Sequence, residues 1–201
     1  MAVTAIHQAA AVQYFYRRAA AEAGRREEEP VAALVDSAAV AGVSAAEVRA
    51  GVGKEMRTRE FLSKLEHDRI VHAIREAEAR TSGEIRVYVH RGKLSADPLA
   101  AAQRKFYQLG MHKTRERNAV LLFVAPRAHK FAVVGDKAIH EKCGDEFWER
   151  IIEGMRTHFQ KEKFSHALVD AIGEIGKVLA AHFPKVPTNA NELPDEIAEG
   201  D

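Results

Sequence analysis

The chain has little of several features that would narrow its function at once. Cys143 is its single cysteine, so it forms no intrachain disulfide and no multi-cysteine zinc or iron–sulfur site of its own. Its 30 basic and 29 acidic side chains nearly cancel, which leaves no electrostatic footprint for nucleic acid. The longest strongly apolar run, 119–125, is far shorter than the roughly 20 residues that span a bilayer. We therefore expect no nucleic-acid partner and no membrane insertion.

Residues 1–55 differ in composition from the rest of the chain. They are rich in alanine and poor in large apolar side chains, which predicts a helical extension without a core of its own. Ser44 and Glu47 have the spacing of a capping box and predict a short helix there. We expect this extension to lie outside the native domain, which should fold without it. The N-terminus lacks the apolar core of a signal peptide, so a cytoplasmic protein is expected.

From residue 56 onward, helical and strand patterns alternate. Ser63 and Glu66 form a second capping box, which predicts one amphipathic helix with a left-handed cap at Gly83. Asp97 and Pro98 have the residue types of a helix start. Apolar residues at helical spacing predict two further helices, 148–159 and 164–183. Trp148 belongs to the first of these and is expected to pack against a sheet.

Three strands are predicted between these helices. Residues 85–90 alternate apolar and polar side chains, 119–125 are apolar throughout, and 130–134 follow after a link too short for anything but a hairpin. The first two strands are separated by a helical crossover and should run parallel, whereas the third should run back against the second. The C-terminal residues 189–201 carry acidic but no basic side chains, which predicts an extended or loosely docked tail.

These strand directions bring several polar residues to one edge of the sheet. Glu84 and Asn118 precede the parallel strands, and Asp136 and Glu141 follow the returning strand. Carboxylate and amide oxygens are the ligands that calcium and magnesium prefer. We therefore predict a divalent-cation site in which the ion relieves repulsion among the acids, so that Asp136→Asn would not destabilise the ion-free protein. The alternative is that Arg115, Arg117 or Lys137 neutralises these acids in ordinary ion pairs.

Five segments in this order resemble the TPM family, which is named after thylakoid-lumen, photosystem-repair and receptor-modulator members. The resemblance extends from residue 56 to the C-terminal tail and rests on the following segments: Phe61–Ser63, Arg80–Val87, Arg117–Leu122, Val134–Lys142 and Asn191–Ile197. It implies a three-layer α/β/α sandwich around a small mixed β-sheet, preceded here by the helical extension. The expected organisation is the extension at 1–55, the domain at 56–188 and the acidic tail at 189–201.

The resemblance also implies a metal site and leaves the enzymatic status open. Matched position by position, the ligands would be Glu84, Asn118, Asp136 and Glu141, with calcium expected first and magnesium or manganese as alternatives. A module that binds a cation is the favoured function, and a metal-dependent phosphatase acting on phosphomonoesters is the alternative. In the phosphatase reading the basic stretch 113–117 would meet the substrate phosphate, but no residue can be named as nucleophile or acid. A protein partner, if one exists, cannot be identified from the sequence.

Overall fold

The predicted strands form the middle of a mixed, five-stranded sheet. The computed structural model describes residues 46–47, 58–95, 97–185 and 192–200, which all belong to one compact unit. The strands are β1 (Ala46–Glu47), β2 (Ile85–His90), β3 (Val120–Ala125), β4 (Lys130–Gly135) and β5 (Ala198–Gly200). Their order across the sheet is β1-β4-β3-β2-β5. β2 runs parallel to β3 and to β5, whereas β4 runs antiparallel to β3 and to β1, as the short hairpin and the long crossover require.

Helices cover both faces of this sheet, which confirms the predicted three-layer sandwich. They are α1 (Thr58–Ser63), α2 (His67–Glu78), α3 (Pro98–Gln108), α4 (Lys137–Gln160) and α5 (Phe164–His182). Buried residues of α2, α4 and α5 form the larger core with one face of β2, β3 and β4. The smaller core, on the other face, is formed with α3. No helix among the described residues has the length and apolarity needed to cross a bilayer.

Trp148 lies in the larger core, as predicted. Its ring packs against Gly135, where any larger residue would collide with it. The side chain is fully buried. A methyl group added at Gly135, the last residue of β4, would lie 2.5 Å from Cζ2 of Trp148. The sheet and α4 therefore approach each other closely at the end of β4, just before Asp136.

The helix predicted from Ser63 to Gly83 is divided differently in the structure. Ser63 ends α1, and its hydroxyl donates to the backbone carbonyl of Glu60 at 2.8 Å instead of capping the next helix. α2 begins only at His67 and ends at Glu78. Gly83 has no left-handed backbone; instead, a methyl group there would lie 2.6 Å from a methyl carbon of Leu179. Close helix packing, and not helix termination, accounts for this glycine.

Both ends of the chain contribute edge strands that the sequence patterns did not predict. Ala46–Glu47 pairs with β4, where the sequence predicted a capping box and a helix. The rest of the predicted extension lies outside the described residues. At the C-terminal end, Ala198–Gly200 pairs with β2, so of the two predicted forms the acidic tail takes the extended one here, as a strand of the sheet. Ile197, just before it, is buried in the larger core.

Candidate metal site at the polar edge

The starts of β2 and β3 and the end of β4 meet at one edge of the sheet, as the strand directions predicted. The backbone carbonyl of Glu84 accepts from the amide of Val120 at 2.8 Å, and the carbonyl of Ala119 accepts from the amide of Asp136 at 2.9 Å. These two bonds hold Glu84, Asn118 and Asp136 on neighbouring strand ends. All three side chains are buried. We call this region the polar edge.

Asp136 occupies one corner of the polar edge, and its charge is fully matched. Arg117 donates to both carboxylate oxygens, from Nε at 2.7 Å and from Nη2 at 2.9 Å. The backbone amide of Lys137 donates to the same carboxylate at 2.7 Å, so Asp136 also caps the N-terminus of α4. The repulsion that the sequence predicted for Asp136 is therefore absent, because a bidentate arginine and a helix N-terminus both face it. For the same reason we now expect Asp136→Asn to destabilise the ion-free protein, contrary to the prediction from the sequence.

Glu84 lies at the other corner, against the C-terminal segment. Its two carboxylate oxygens accept from the backbone amides of Glu192 at 3.0 Å and Leu193 at 3.2 Å. Burial raises the pKa of Glu84, the two amides partly lower it, and the nearby carboxylates of Glu192 and Asp195 raise it again. Glu84 thus lies close to other acids, whereas Asp136 lies against the guanidinium group of Arg117.

Glu78 is a second buried acid at the Glu84 corner. Its carboxylate accepts from the backbone amide of Ile85 at 2.7 Å. Burial, together with the nearby charges of Glu84 and Asp195, raises the pKa of Glu78 to about 9 despite the lowering effect of the Ile85 amide. Arg86 is buried nearby, yet its Nε atom has no hydrogen-bond partner among the described residues. This corner therefore holds acids whose charge the surrounding side chains compensate only in part.

Asn118 stands between the two corners with half of its amide unused. Its Nδ2 donates to the hydroxyl of Ser82 at 3.1 Å, and that hydroxyl donates to Oε2 of Glu116 at 2.8 Å. Its Oδ1 is buried and has no hydrogen-bond partner in the described part of the chain. A buried carbonyl oxygen without a partner costs free energy, which a donor or a cation bound at this atom would offset.

Glu141, the fourth predicted ligand, does not join the other three. It lies one turn into α4 with an exposed side chain, 3.9 Å from the ammonium group of Lys137. Across residues 46–47, 58–95, 97–185 and 192–200, no three His, Cys, Asp or Glu side chains are arranged to hold a metal ion. The structure therefore brings Glu84, Asn118 and Asp136 to one edge. Asp136, however, forms an ion pair with Arg117, and the side chain of Glu141 is exposed to solvent.

Sequence reasoning missed three residues that shape this edge: Ser82, Glu116 and Glu192. Ser82 belongs to the segment Arg80–Val87, and Glu192 to the segment Asn191–Ile197, so both lay within stretches already singled out. Their contacts join residues 34 and 108 positions apart, which no local pattern reveals. Only the crossing of the C-terminal segment over Glu84 makes Glu192 part of the edge.

The fold and this edge define an α/β/α sandwich with a polar edge formed by three strand ends. The model of the TPM domain matches residues 56–178, and the chain belongs to this family. It is also similar to the BA42 protein of the psychrophilic bacterium Bizionia argentinensis, whose structure was determined by NMR. The two share 37% identity with a TM-score of 0.63 over 67% of this chain and 92% of the other. A comparison with curated proteins gave no match.

Proposed function

We propose that this TPM domain is a module that binds a divalent cation, with calcium as the preferred ion. The observation that carries the proposal is the Oδ1 atom of Asn118, which is buried at the polar edge and accepts no hydrogen bond from the described residues. An amide oxygen in this state is a ready ligand for a hard cation, since calcium and magnesium favour amide and carboxylate oxygens. Magnesium or manganese are the alternatives.

Carboxylate oxygens suit such an ion, and two acidic residues are linked to the strand ends at which Asn118 lies. Glu84 is tied to β3 through its backbone bond to Val120, and Glu116 reaches Asn118 through the hydroxyl of Ser82. Asp136 would become a ligand only by releasing Arg117, and Glu141 only by releasing Lys137. We therefore assign Glu84 and Asn118 as the primary ligands, with Asp136 and Glu141 joining in exchange for their ion pairs.

Calcium should raise the melting temperature if this assignment is correct. A dissociation constant of about 10⁻⁴ M is typical of calcium modules with few carboxylates. At about 1 mM free calcium, such a site stabilises the native state by about 1.4 kcal/mol, which raises the melting temperature by about 3 to 6 °C for a chain of this length. Excess chelator should remove the gain. No shift with about 10 mM calcium, magnesium or manganese would sink the proposal.

Two variants decide whether the ion binds at this edge. Asn118→Leu keeps the size of the side chain but removes its oxygen, so the calcium-dependent shift should disappear whatever happens to the baseline melting temperature. Glu174→Gln removes one exposed carboxylate of α5 that pairs with Lys177, away from the polar edge. This control should keep the full shift. Equal shifts in both variants would place the ion elsewhere.

The alternative function, a metal-dependent phosphatase, rests on the basic residues at the same edge. Arg117 already binds one carboxylate, and Arg115 and Lys113 precede it in the sequence. An arginine fork that holds Asp136 also has the geometry to hold a phosphate in its place. Turnover of simple phosphomonoesters with calcium, magnesium or manganese, lost in Asn118→Leu and kept in Glu174→Gln, would favour this function. Rates that survive Asn118→Leu would indicate a contaminant.

A further inference from the structure

Residues 192–200, which we call the C-terminal strap, cross the free side of β2 and touch it through several different kinds of contact. β5 pairs with β2 in parallel, and the amide of Arg91 extends the ladder with a bond of 2.8 Å to the carbonyl of Gly200. At the other end of the strap, the carboxylate of Glu84 accepts two consecutive amides, those of Glu192 and Leu193. The strap is thus held by its backbone at both ends.

We infer that the edge of β2 is a docking groove for an extended, acidic peptide segment of a partner protein, and that the C-terminal strap fills this groove in cis. The groove is formed by Glu84, the β2 edge and two arginines, Arg75 and Arg91. Addition of a strand to an exposed sheet edge is a common mode of peptide recognition, in which backbone bonds give affinity and side-chain pockets give specificity. The strap shows which sequence the groove accepts.

Two apolar positions and two acidic positions define the preferred peptide. Ile197 enters the larger core, while Leu193 packs against the smaller core on the opposite face of the sheet. Asp195 accepts from Nε of Arg75 at 3.2 Å, and Glu199 forms an ion pair with Arg91. Both pairs of positions are four residues apart. A partner segment should therefore repeat this pattern of leucine or isoleucine and acid at equal spacing.

The strap is held more weakly than the strands next to it. Ile197 is its only buried residue, and only three of its residues pair with β2. The side chains of Arg75 and Arg91 are 66% and 58% exposed, so their ion pairs add little to its stability. The acids Glu192 and Asp195 also lie near the buried Glu84, which disfavours their approach. A segment of this kind opens locally without unfolding of the domain.

An open strap would leave β2 as an unpaired edge strand whose first five residues are buried. Such an edge is a template for another strand, so natural proteins keep it covered. A tethered strap has an effective concentration on the order of 1 mM, so a partner segment must compete with it. Weakening the strap should therefore strengthen the binding of a peptide in trans, whereas a merely structural strand would show no such exchange.

The test uses the 201-residue chain and a fluorescent synthetic peptide with the sequence of Glu192–Gly200. Binding is titrated by anisotropy in the presence of EDTA. The chelator separates the outcome from that of the cation proposal. Wild type should bind the peptide weakly, Glu199→Ala should bind it about threefold or more tightly, and Ile197→Ala about tenfold or more. The same substitution placed in the peptide should weaken its binding by a similar factor. Glu146→Ala, which removes an exposed acid of α4, should bind like wild type.

A charge exchange tests whether the peptide uses this groove. Arg91→Glu in the protein should abolish binding of the natural peptide, and a peptide with lysine at the Glu199 position should restore it. Glu199→Ala changes an exposed ion pair only, so it keeps the test valid even if Ile197→Ala fails to fold. The inference is overturned if no folded variant binds the peptide, or if the affinity does not respond to Glu199→Ala. Dimer formation without peptide binding would mean that the groove accepts only a second copy of the chain, which also overturns it.

Discussion

The two corners of the polar edge both bury an acid, but they stabilise it in opposite ways. At the Asp136 corner the carboxylate meets Arg117 and the N-terminus of α4, and the backbone beneath it packs directly on Trp148. At the Glu84 corner the carboxylate meets two backbone amides of the C-terminal strap and three further acids, Glu78, Glu192 and Asp195. The first corner is a neutralised part of the core, whereas the second gathers several acids under the C-terminal strap.

Glu84 and Asp136 lie on the same edge of the sheet, but their different partners mean that they need not bind the same ion. A cation approaching Asp136 has to displace an arginine, which costs the bidentate ion pair. A cation approaching Glu84 meets two buried acids, Glu84 and Glu78, whose pKa values are raised by burial and by neighbouring carboxylates. A positive charge there would stabilise their ionised forms.

The largest effect is expected where the Asp136 corner rests on the core. Trp148→Ala removes a fully buried ring and should lower the free energy of unfolding by about 3 to 5 kcal/mol, measured by urea denaturation. Gly135→Ala places a methyl group against the same ring and should cost about 1 to 3 kcal/mol. In the Trp148→Ala background this second cost should vanish. If the two costs simply add, the ring does not support this corner.

Asp136→Asn should destabilise the ion-free protein by about 2 to 3 kcal/mol. The substitution leaves Arg117 without its anionic partner and weakens the cap of α4; the cost stays below that of a fully buried pair because the Arg117 side chain is 30% exposed. Thermal denaturation with and without EDTA measures the effect. Glu141→Gln, which breaks only the exposed contact with Lys137, should change stability by less than about 0.5 kcal/mol. A stabilised Asp136→Asn protein would restore the picture of mutually repelling acids.

The Glu84 corner should lose stability as the pH rises. The pKa of Glu78 is raised to about 9 in the folded protein, so the folded state binds its proton more tightly than the unfolded state does. The stabilisation from this proton is fully present below the unfolded pKa of about 4.5 and is lost as the pH rises toward about 9. We expect a loss of up to about 4 kcal/mol between about pH 6 and pH 9.

Glu78→Gln should remove this pH dependence, because glutamine can still accept from the Ile85 amide but does not ionise. Glu76→Gln, two residues earlier on the exposed side of α2, serves as the matched control and should keep the wild-type slope. Urea midpoints at several pH values give the comparison. A slope that is the same in all three proteins would show that Glu78 is ionised without cost, and the Glu84 corner would then resemble the Asp136 corner.

The patterns that could be read from the sequence are those in which one short segment fixes its own structure. Asp97 accepts from the amides of Leu99 and Ala100 as a capping residue before Pro98 should, and the buried run of β3 is a central strand. The capping box predicted at Ser63 does not form. The backbone amide of Glu66 donates to the hydroxyl of Ser165 instead, and the hydroxyl of Ser63 donates to a carbonyl within α1. A residue 99 positions away decided the outcome.

Hydrophobic periodicity and link lengths set the strand directions and were enough to predict the edge where Glu84, Asn118 and Asp136 meet, whereas the α/β/α layers were expected from the resemblance to the TPM family. Which partner each acid takes was decided only by the tertiary structure. Arg117 reaches Asp136 across 19 positions and the C-terminal strap reaches Glu84 across 108, and the free energy of such contacts depends on burial that no local pattern encodes. The pairing of Ala198–Gly200 with β2 is likewise a long-range contact, and it covers an edge of β2 that would otherwise be unpaired.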